Sequence, residues 1–259
     1  MTASAGLAGQ TALVTGTAAG IGRAIALRLA AAGAHVILAD RDEAGLEETH
    51  ALIIEAGGTS RIAAIDLADA AALPAYVAAV LAQNGRIDIL VNCAGVVGQS
   101  VGLLASELDD WNFVFSVNVT APFVLMREVA RNMVERGQGG RIVNVTSSSA
   151  HRALMSMPAY GASKSALMQL TRSAAAQLGP HNINVNAVAP GLTNTSILSS
   201  RFSEEQVSAM VTEGVLANLL HRVSEPQDVA ETVLFLCLPA SRQITAQTIH
   251  VSGGAVIAS

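Results

Sequence analysis

Apolar and polar positions alternate along this chain in two rhythms. Short, nearly unbroken apolar runs predict strands at TALVTG (11–16), HVILAD (35–40), RIAAIDL (61–67), IDILVNCAG (87–95), RIVNVTSS (141–148), INVNAVAPG (183–191) and TIHVSGG (248–254). Runs of that kind suit strands buried on both faces. Helix-length amphipathic segments lie between them, beginning near Ile21, Glu43, Asp69, Leu108, Ala159, Glu204 and Glu225. Gly33, Gly57 and Gly85 follow helices, where a left-handed residue ends a helix well. Ser224-Glu225-Pro226-Gln227 reads as a capping box with Pro inside the first turn. No repeat, low-complexity stretch or long linker interrupts the alternation. It predicts an α/β fold: a doubly wound, seven-stranded parallel sheet with helices on both faces, in a single domain over 1–259.

Composition agrees with a large aliphatic core. Of 259 residues, 51% are hydrophobic, only 3% aromatic and 14% charged. Mean hydropathy is positive, but no apolar run is expected to reach the roughly 20 residues that span a bilayer; Arg28, His35 and Asp40 interrupt the most apolar early stretch. The opening MTASAGLAGQ lacks the basic and apolar regions of a signal peptide. These features predict a cytoplasmic protein with no membrane partner. A net charge of −5 speaks against a nucleic-acid partner. Cys93 and Cys237 fit no metal-ligand spacing, so no metal site is expected, and both read as buried free thiols.

The first strand runs into Thr15-Gly16-Thr17-Ala18-Ala19-Gly20-Ile21-Gly22 and then a helix. Glycines there let the backbone turn tightly and approach a pyrophosphate at the helix N-terminus, a Rossmann-like arrangement. The second strand ends at Asp40, where a carboxylate would accept hydrogen bonds from the ribose of NAD. It would repel the 2′-phosphate of NADP by roughly 4 kcal/mol at about 4 Å and an effective dielectric near 20. Arg41 beside it stacks on the adenine, faces solvent or pairs with such a phosphate. NAD is the expected cofactor.

Several motifs occur in order: the glycine turn, Asp66-Leu67, Asn92-Cys93-Ala94-Gly95, Asn118, Ser147, Tyr160-Gly-Ala-Ser-Lys164 and Pro190-Gly191. Together they resemble the short-chain dehydrogenase/reductase family over residues 8 to 254. The resemblance implies cofactor roles for Gly16, Thr17, Gly20, Ile21, Gly22, Asp40 and Arg41. Asp66 would bond the adenine edge with Leu67 nearby. Asn92, Ala94 and Gly95 would line the adenosine ribose, and Pro190, Leu192, Thr193 and Thr195 would border the nicotinamide. Cys93 replaces a common Asn, Asn184 a frequent Arg, Ala246 a common Gly, and Ser252 the Asp that usually precedes Gly253-Gly254.

The resemblance also implies a catalytic set of Asn118, Ser147, Tyr160 and Lys164. Tyr160 and Lys164 are four apart and share a helix face. A nearby ammonium and an oxidised nicotinamide would favour the phenolate and lower the Tyr160 pKa from about 10. Tyr160 would then take the alcohol proton in oxidation and return it in reduction. Ser147 would hold the substrate oxygen; its spacing of thirteen residues to Tyr160 selects it over Ser148. Lys164 would also bind the nicotinamide ribose. Asn118 would hold a water linking Lys164 to solvent, or merely cap a kink before Pro122.

The substrate pocket implied by the family draws on Val96, Val97, Leu103, Leu154, Met155, Met157, Leu192, Ile197 and Leu198, around Ser147 and Tyr160. That lining suggests a small, largely apolar secondary alcohol or ketone. His151 and Arg152 either meet a polar group or sit exposed. Residues 193–219 read as a lid over the cofactor. Three alternatives stay open: an NADPH-dependent 3-oxoacyl thioester reductase, a catalytically idle nucleotide-binding or regulatory protein of the same fold, and a metal-dependent alcohol dehydrogenase, for which no ligand cluster is seen. Family members are commonly tetramers, so a homotetramer is expected, with the apolar tail Ala255-Val256-Ile257-Ala258 at an interface.

Overall fold

The computed structural model describes residues 6–195, 198, 203–214 and 216–257. Its strands are β1 (Thr11–Thr15), β2 (His35–Ala39), β3 (Thr59–Ile62), β4 (Ile89–Asn92), β5 (Gly140–Val145), β6 (Ile183–Pro190) and β7 (Thr248–Val251). They form one seven-stranded sheet in the order β3-β2-β1-β4-β5-β6-β7, every pair parallel. The described helices are α1 (Gly20–Ala31), α2 (Glu43–Glu55), α3 (Leu73–Asn84), α4 (Leu108–Phe115), α5 (Ala121–Arg136), α6 (Pro158–Leu178), α7 (Glu204–Thr212) and α8 (Pro226–Cys237). This is the expected doubly wound fold.

The strands' apolar runs are explained by two cores. Ala12, Val14, Val36 and Leu38 face α1 and α8, which supply Ile25, Leu29, Val229 and Val233. Their neighbours Leu13, Ile37, Leu90 and Ile142 face α3 and α5, which supply Val77, Val80, Leu125 and Val129. A period of two therefore gives apolar residues at every position, because both faces are covered. Gly33, Gly57 and Gly85 do take positive φ, at 96°, 78° and 73°.

The differences from expectation lie at edges and caps. β3 starts at Thr59, earlier than the apolar run at 61–67, and its exposed and half-buried residues alternate. The run beyond it still bonds to β2, through Ala63 N–H to the Leu38 carbonyl and Ile65 N–H to that of Asp40. α3 begins at Leu73 because Asp69 instead caps the preceding turn, accepting from the Ala72 N–H at 3.3 Å. The capping box of α8 forms on Glu225 and Asp228 rather than Ser224. Ser224 is engaged elsewhere, pairing its backbone with Leu192 and Asn194.

The expectation about long apolar runs needs correction. Leu108–Arg136 is helical throughout for 29 residues, and an 18-residue window of it has a mean hydropathy of 1.3, long and apolar enough to cross a membrane by those measures. Of that window 56% is buried within the domain, where Val117, Leu125 and Val129 pack on the sheet. The run is interrupted by a π-helical turn at Ser116–Thr120. Pro122 has no N–H to close an α-helical bond onto the Asn118 carbonyl, so the helix widens there.

Candidate active site

Strand order reverses at β1, with β2 on one side and β4 on the other. Beyond the carboxyl ends of these strands opens a cleft of about 910 Å³, the position where ligands bind in folds of this kind. One end is lined by Gly16, Gly20, Ile21, Gly22, Asp40 and Arg41, with Asp66 and Leu67 beside them; the other holds Ser147, Tyr160 and Lys164. Ala94, Gly95, Pro190, Leu192, Thr193 and Thr195 lie along the walls between.

At the first end the chain is folded so tightly that side chains are excluded. A Cβ on Gly16 would stand 2.8 Å from the Ala94 Cα, and one on Gly22 only 2.0 Å from the Gly16 carbonyl oxygen. Thr15 Oγ1 ties this turn to the end of β4 by accepting from the Cys93 and Ala94 N–H groups, each at 3.1 Å. Arg23 braces it from below: its guanidinium bonds the Ala18 carbonyl and reaches Thr49 Oγ1 at 3.0 Å, and Thr49 Oγ1 lies 2.8 Å from the Thr17 carbonyl. The α1 N-cap is Ala19, without a side-chain cap or an acidic residue in the first turn. Its N–H groups face the cleft end uncapped, which suits an anionic group.

Asp40 stands across from that turn. Its carboxylate accepts from the Ala18 N–H at 3.2 Å, the Arg41 N–H at 2.7 Å and the Asp42 N–H at 3.2 Å. Asp66 is held in the same way, accepting from the Ala68 N–H at 2.9 Å. A turn with no room for a Cβ at Gly16 or Gly22, an uncapped helix start and two backbone-held carboxylates together fit a dinucleotide.

At the second end the groups are buried. Lys164 is 3% exposed and donates to the Val145 carbonyl at 3.0 Å; burial pushes its pKa down from 10.5 to about 8. Its Nζ lies 5.8 Å from the centre of the Tyr160 ring. Burial raises the Tyr160 pKa above its ordinary value, and a hydrogen bond with the Ser147 side chain opposes that rise. The expected lowering of the phenol is therefore not built into this chain alone: Lys164 is bonded to Val145, and the loss of water dominates. Asn118 is fully buried in the π-turn, outside the cleft wall. Its Oδ1 accepts from the Val96 N–H and its Nδ2 donates to the Val96 carbonyl, both at 2.9 Å.

Comparison with known proteins follows the same lines. A family model described as enoyl-(acyl carrier protein) reductase matches residues 16–256. The chain is 39% identical to the short-chain reductase NovJ of Streptomyces niveus, over 95% of this chain and 93% of that protein. The chain belongs to the short-chain dehydrogenase/reductase family. Membership makes it an oxidoreductase. Among solved structures it is similar to a 7α-hydroxysteroid dehydrogenase complexed with NADH and 7-oxo glycochenodeoxycholic acid, with a TM-score of 0.90 and 34% identity over 98% of this chain and 96% of that one. It is also similar to a 3-oxoacyl (acyl-carrier-protein) reductase from Agrobacterium tumefaciens C58 with NADP bound, with a TM-score of 0.90 and 33% identity over 97% and 96%.

Not every residue singled out by the family motifs faces this cleft. The Asn92 side chain turns into the sheet, where its Nδ2 donates to Asn144 Oδ1 at 2.8 Å, so only its backbone is near the ribose position. Thr17 is likewise fully buried away from the cleft. Gly95 does more than line a wall: a Cβ there would lie 3.0 Å from Lys164 Nζ and 3.3 Å from Asn118 Oδ1. Cys93 is not sealed in the core; it lines the cleft, with its thiol pushed up to about 12 by burial. Cys237 is buried, also at about 12.

Around Ser147, the cleft is lined by Val96, Val97, Leu154, Met155, Met157 and Leu192. Leu198, Met210 and Leu216 from the 193–219 segment join them, as does Phe113, which motif reasoning missed. Leu103 points out instead, at 75% exposure. Ile197 lies outside the described residues. His151 packs edge-on against His250 at 4.7 Å and Arg152 bonds the Ala255 carbonyl, so both turn toward the C-terminal segment.

Proposed function

We propose that this oxidoreductase transfers a hydride between NAD(H) and the carbon of a largely apolar secondary alcohol or ketone, with Tyr160 as the acid/base. The observation that carries the reading is the Ser147–Tyr160 hydroxyl pair, set in one cleft with the buried Lys164 at its back and Asp40 at its far end. A bound nicotinamide would accept or give the hydride and, when oxidised, bring a positive charge to the site. Ser147 would hold the substrate oxygen against the Tyr160 hydroxyl. In reduction, Tyr160 hands its proton to that oxygen, a role favoured by the burial that keeps the phenol protonated. In oxidation the phenolate, favoured by the positive charge of the oxidised nicotinamide, takes the alcohol proton, and Lys164, whose pKa burial pushes down to about 8, relays it through water held at Asn118.

Asp40 supports NAD over NADP, because its carboxylate is pinned by three backbone N–H groups and cannot swing away from a 2′-phosphate. Arg41, which lines the cleft next to it, supports the second reading, a 3-oxoacyl thioester reductase using NADPH. The lid of 193–219 would close over the cofactor through Leu198, Met210 and Leu216. Added NAD should then protect this segment from hydrogen exchange; unchanged protection rejects the lid. We further propose a cytoplasmic homotetramer.

The test is a panel of cyclohexanol, 1-phenylethanol, a hydroxysteroid, their ketones and a 3-oxoacyl thioester, each followed by nicotinamide absorbance with both cofactors. Turnover of the apolar alcohols or ketones with NAD(H) is expected. Turnover of the thioester alone, with NADPH, would establish the second reading.

A further inference from the structure

Ser163 stands on α6 between Tyr160 and Lys164, and none of its surface is exposed. Its Oγ donates to the Tyr160 carbonyl at 2.8 Å. That uses the hydroxyl's only proton, so toward Asn118 it can only accept. Asn118 Nδ2 donates to it at 3.0 Å. The second Nδ2 proton goes to the Val96 carbonyl, and Asn118 Oδ1 receives the Val96 N–H. Both amide protons are thus placed, one on the loop after β4 and one on the second turn of α6. On its open side Asn118 Oδ1 faces Gly95, across which lies Lys164 Nζ.

A serine that served only its own helix would need no more than the bond to the carbonyl three residues back. The bond to a different helix, at the π-turn, is the additional feature. We propose that Ser163 is a positioning residue for the reaction: its hydroxyl ties the Asn118 amide to the turn of α6 that carries Tyr160 and Lys164, and so holds amide, amine and phenol at one spacing. This rests on the reading of Tyr160 and Lys164 as the reacting pair. Without the hydroxyl, a fully buried N–H loses its acceptor, and the Asn118 amide is held by Val96 alone and no longer tied to α6.

The Ser163→Thr and Ser163→Val variants test this, because they share an outline and differ in the hydroxyl. Assays use the secondary alcohol of the panel that is turned over best. Ser163→Val is expected to lose about tenfold in kcat relative to Ser163→Thr, the size of effect that one unsatisfied buried donor produces, with the NADH Kd within about twofold. The pH profile of turnover should change in Ser163→Val and stay as in the native protein in Ser163→Thr. In ¹⁵N spectra, the Asn118 side-chain amide should exchange slowly in the native protein and Ser163→Thr, and fast in Ser163→Val. Ser163→Ala, which adds no atoms, carries the same expectation should Val disturb folding. Equal kcat, equal pH profile and equal amide exchange across the Thr and Val variants would overturn the proposal. Tyr160→Phe in the same assay separates the two failures: full turnover there removes the acid/base reading and this proposal with it, whereas an inactive Tyr160→Phe beside equal Thr and Val variants removes the Ser163 assignment alone.

Discussion

At the glycine turn the working groups are backbone N–H groups and carboxylates near solvent, whereas around Tyr160 they are side chains withdrawn from it. Asp40 and Asp66 are each positioned by backbone hydrogen bonds, and the turn itself is shaped by glycines that leave no room for a Cβ. Lys164, Asn118 and Ser163 are instead buried and hold each other or the main chain. One end selects by shape and fixed charge. The other shifts proton affinities by desolvation. Substitutions should therefore fail in different ways at the two ends.

The largest stability effect belongs to the turn. Gly22→Ala puts a Cβ 2.0 Å from the Gly16 carbonyl oxygen, and should cost about 3 kcal/mol. Denaturant unfolding measures it, and a loss under about 1 kcal/mol would mean that the turn is less rigid than argued. Lys164→Met should act in the opposite sense at the other end. Because the folded-state pKa falls from 10.5 to about 8, the unfolded chain holds more protons between those values and stability rises with pH there. The buried ammonium thus costs roughly 3 kcal/mol below about pH 8. Net of the lost bond to Val145, the cofactor-free variant should be about 2 kcal/mol more stable than native at pH 7, and that advantage should vanish by about pH 10.5. A difference that does not change with pH would contradict it.

Asp40→Ala removes fixed charge without touching the buried set. It should raise NADPH affinity relative to NADH by about tenfold, less than the unscreened repulsion because the site is near solvent. Paired Kd titrations measure the ratio. The smallest effect lies far from both ends. Ala246 has a φ of 60°, which a Cβ disfavours. Ala246→Gly should stabilise the protein by about 1 kcal/mol and leave both cleft ends unchanged.

The strands buried on both faces were legible in the chain, because continuous apolar runs report two covered sides. Edge strands β3 and β7 were less so, since half-exposed residues carry a weaker pattern. The glycine turn and Asp40 could be located from their places at strand ends, and Tyr160 and Lys164 from the family resemblance, which their four-residue spacing permits. The Arg23–Thr49 brace and the Ser163–Asn118 bond could not, because their partners are 26 and 45 residues apart in the chain. Asn92 shows the limit of motif reading: the motif locates a strand end, but the pleat decides which face each side chain takes, and here it meets Asn144. The tyrosine's proton affinity depended on burial, which spacing alone does not report.

The central claim is that Tyr160 moves the proton at the reacting carbon, and turnover by Tyr160→Phe tests it most directly. The variant should fold with native Tm, bind NADH with a Kd within about twofold, and lose at least about a hundredfold in kcat, the usual contribution of a general acid/base. Native turnover with the phenol hydroxyl removed would contradict the account.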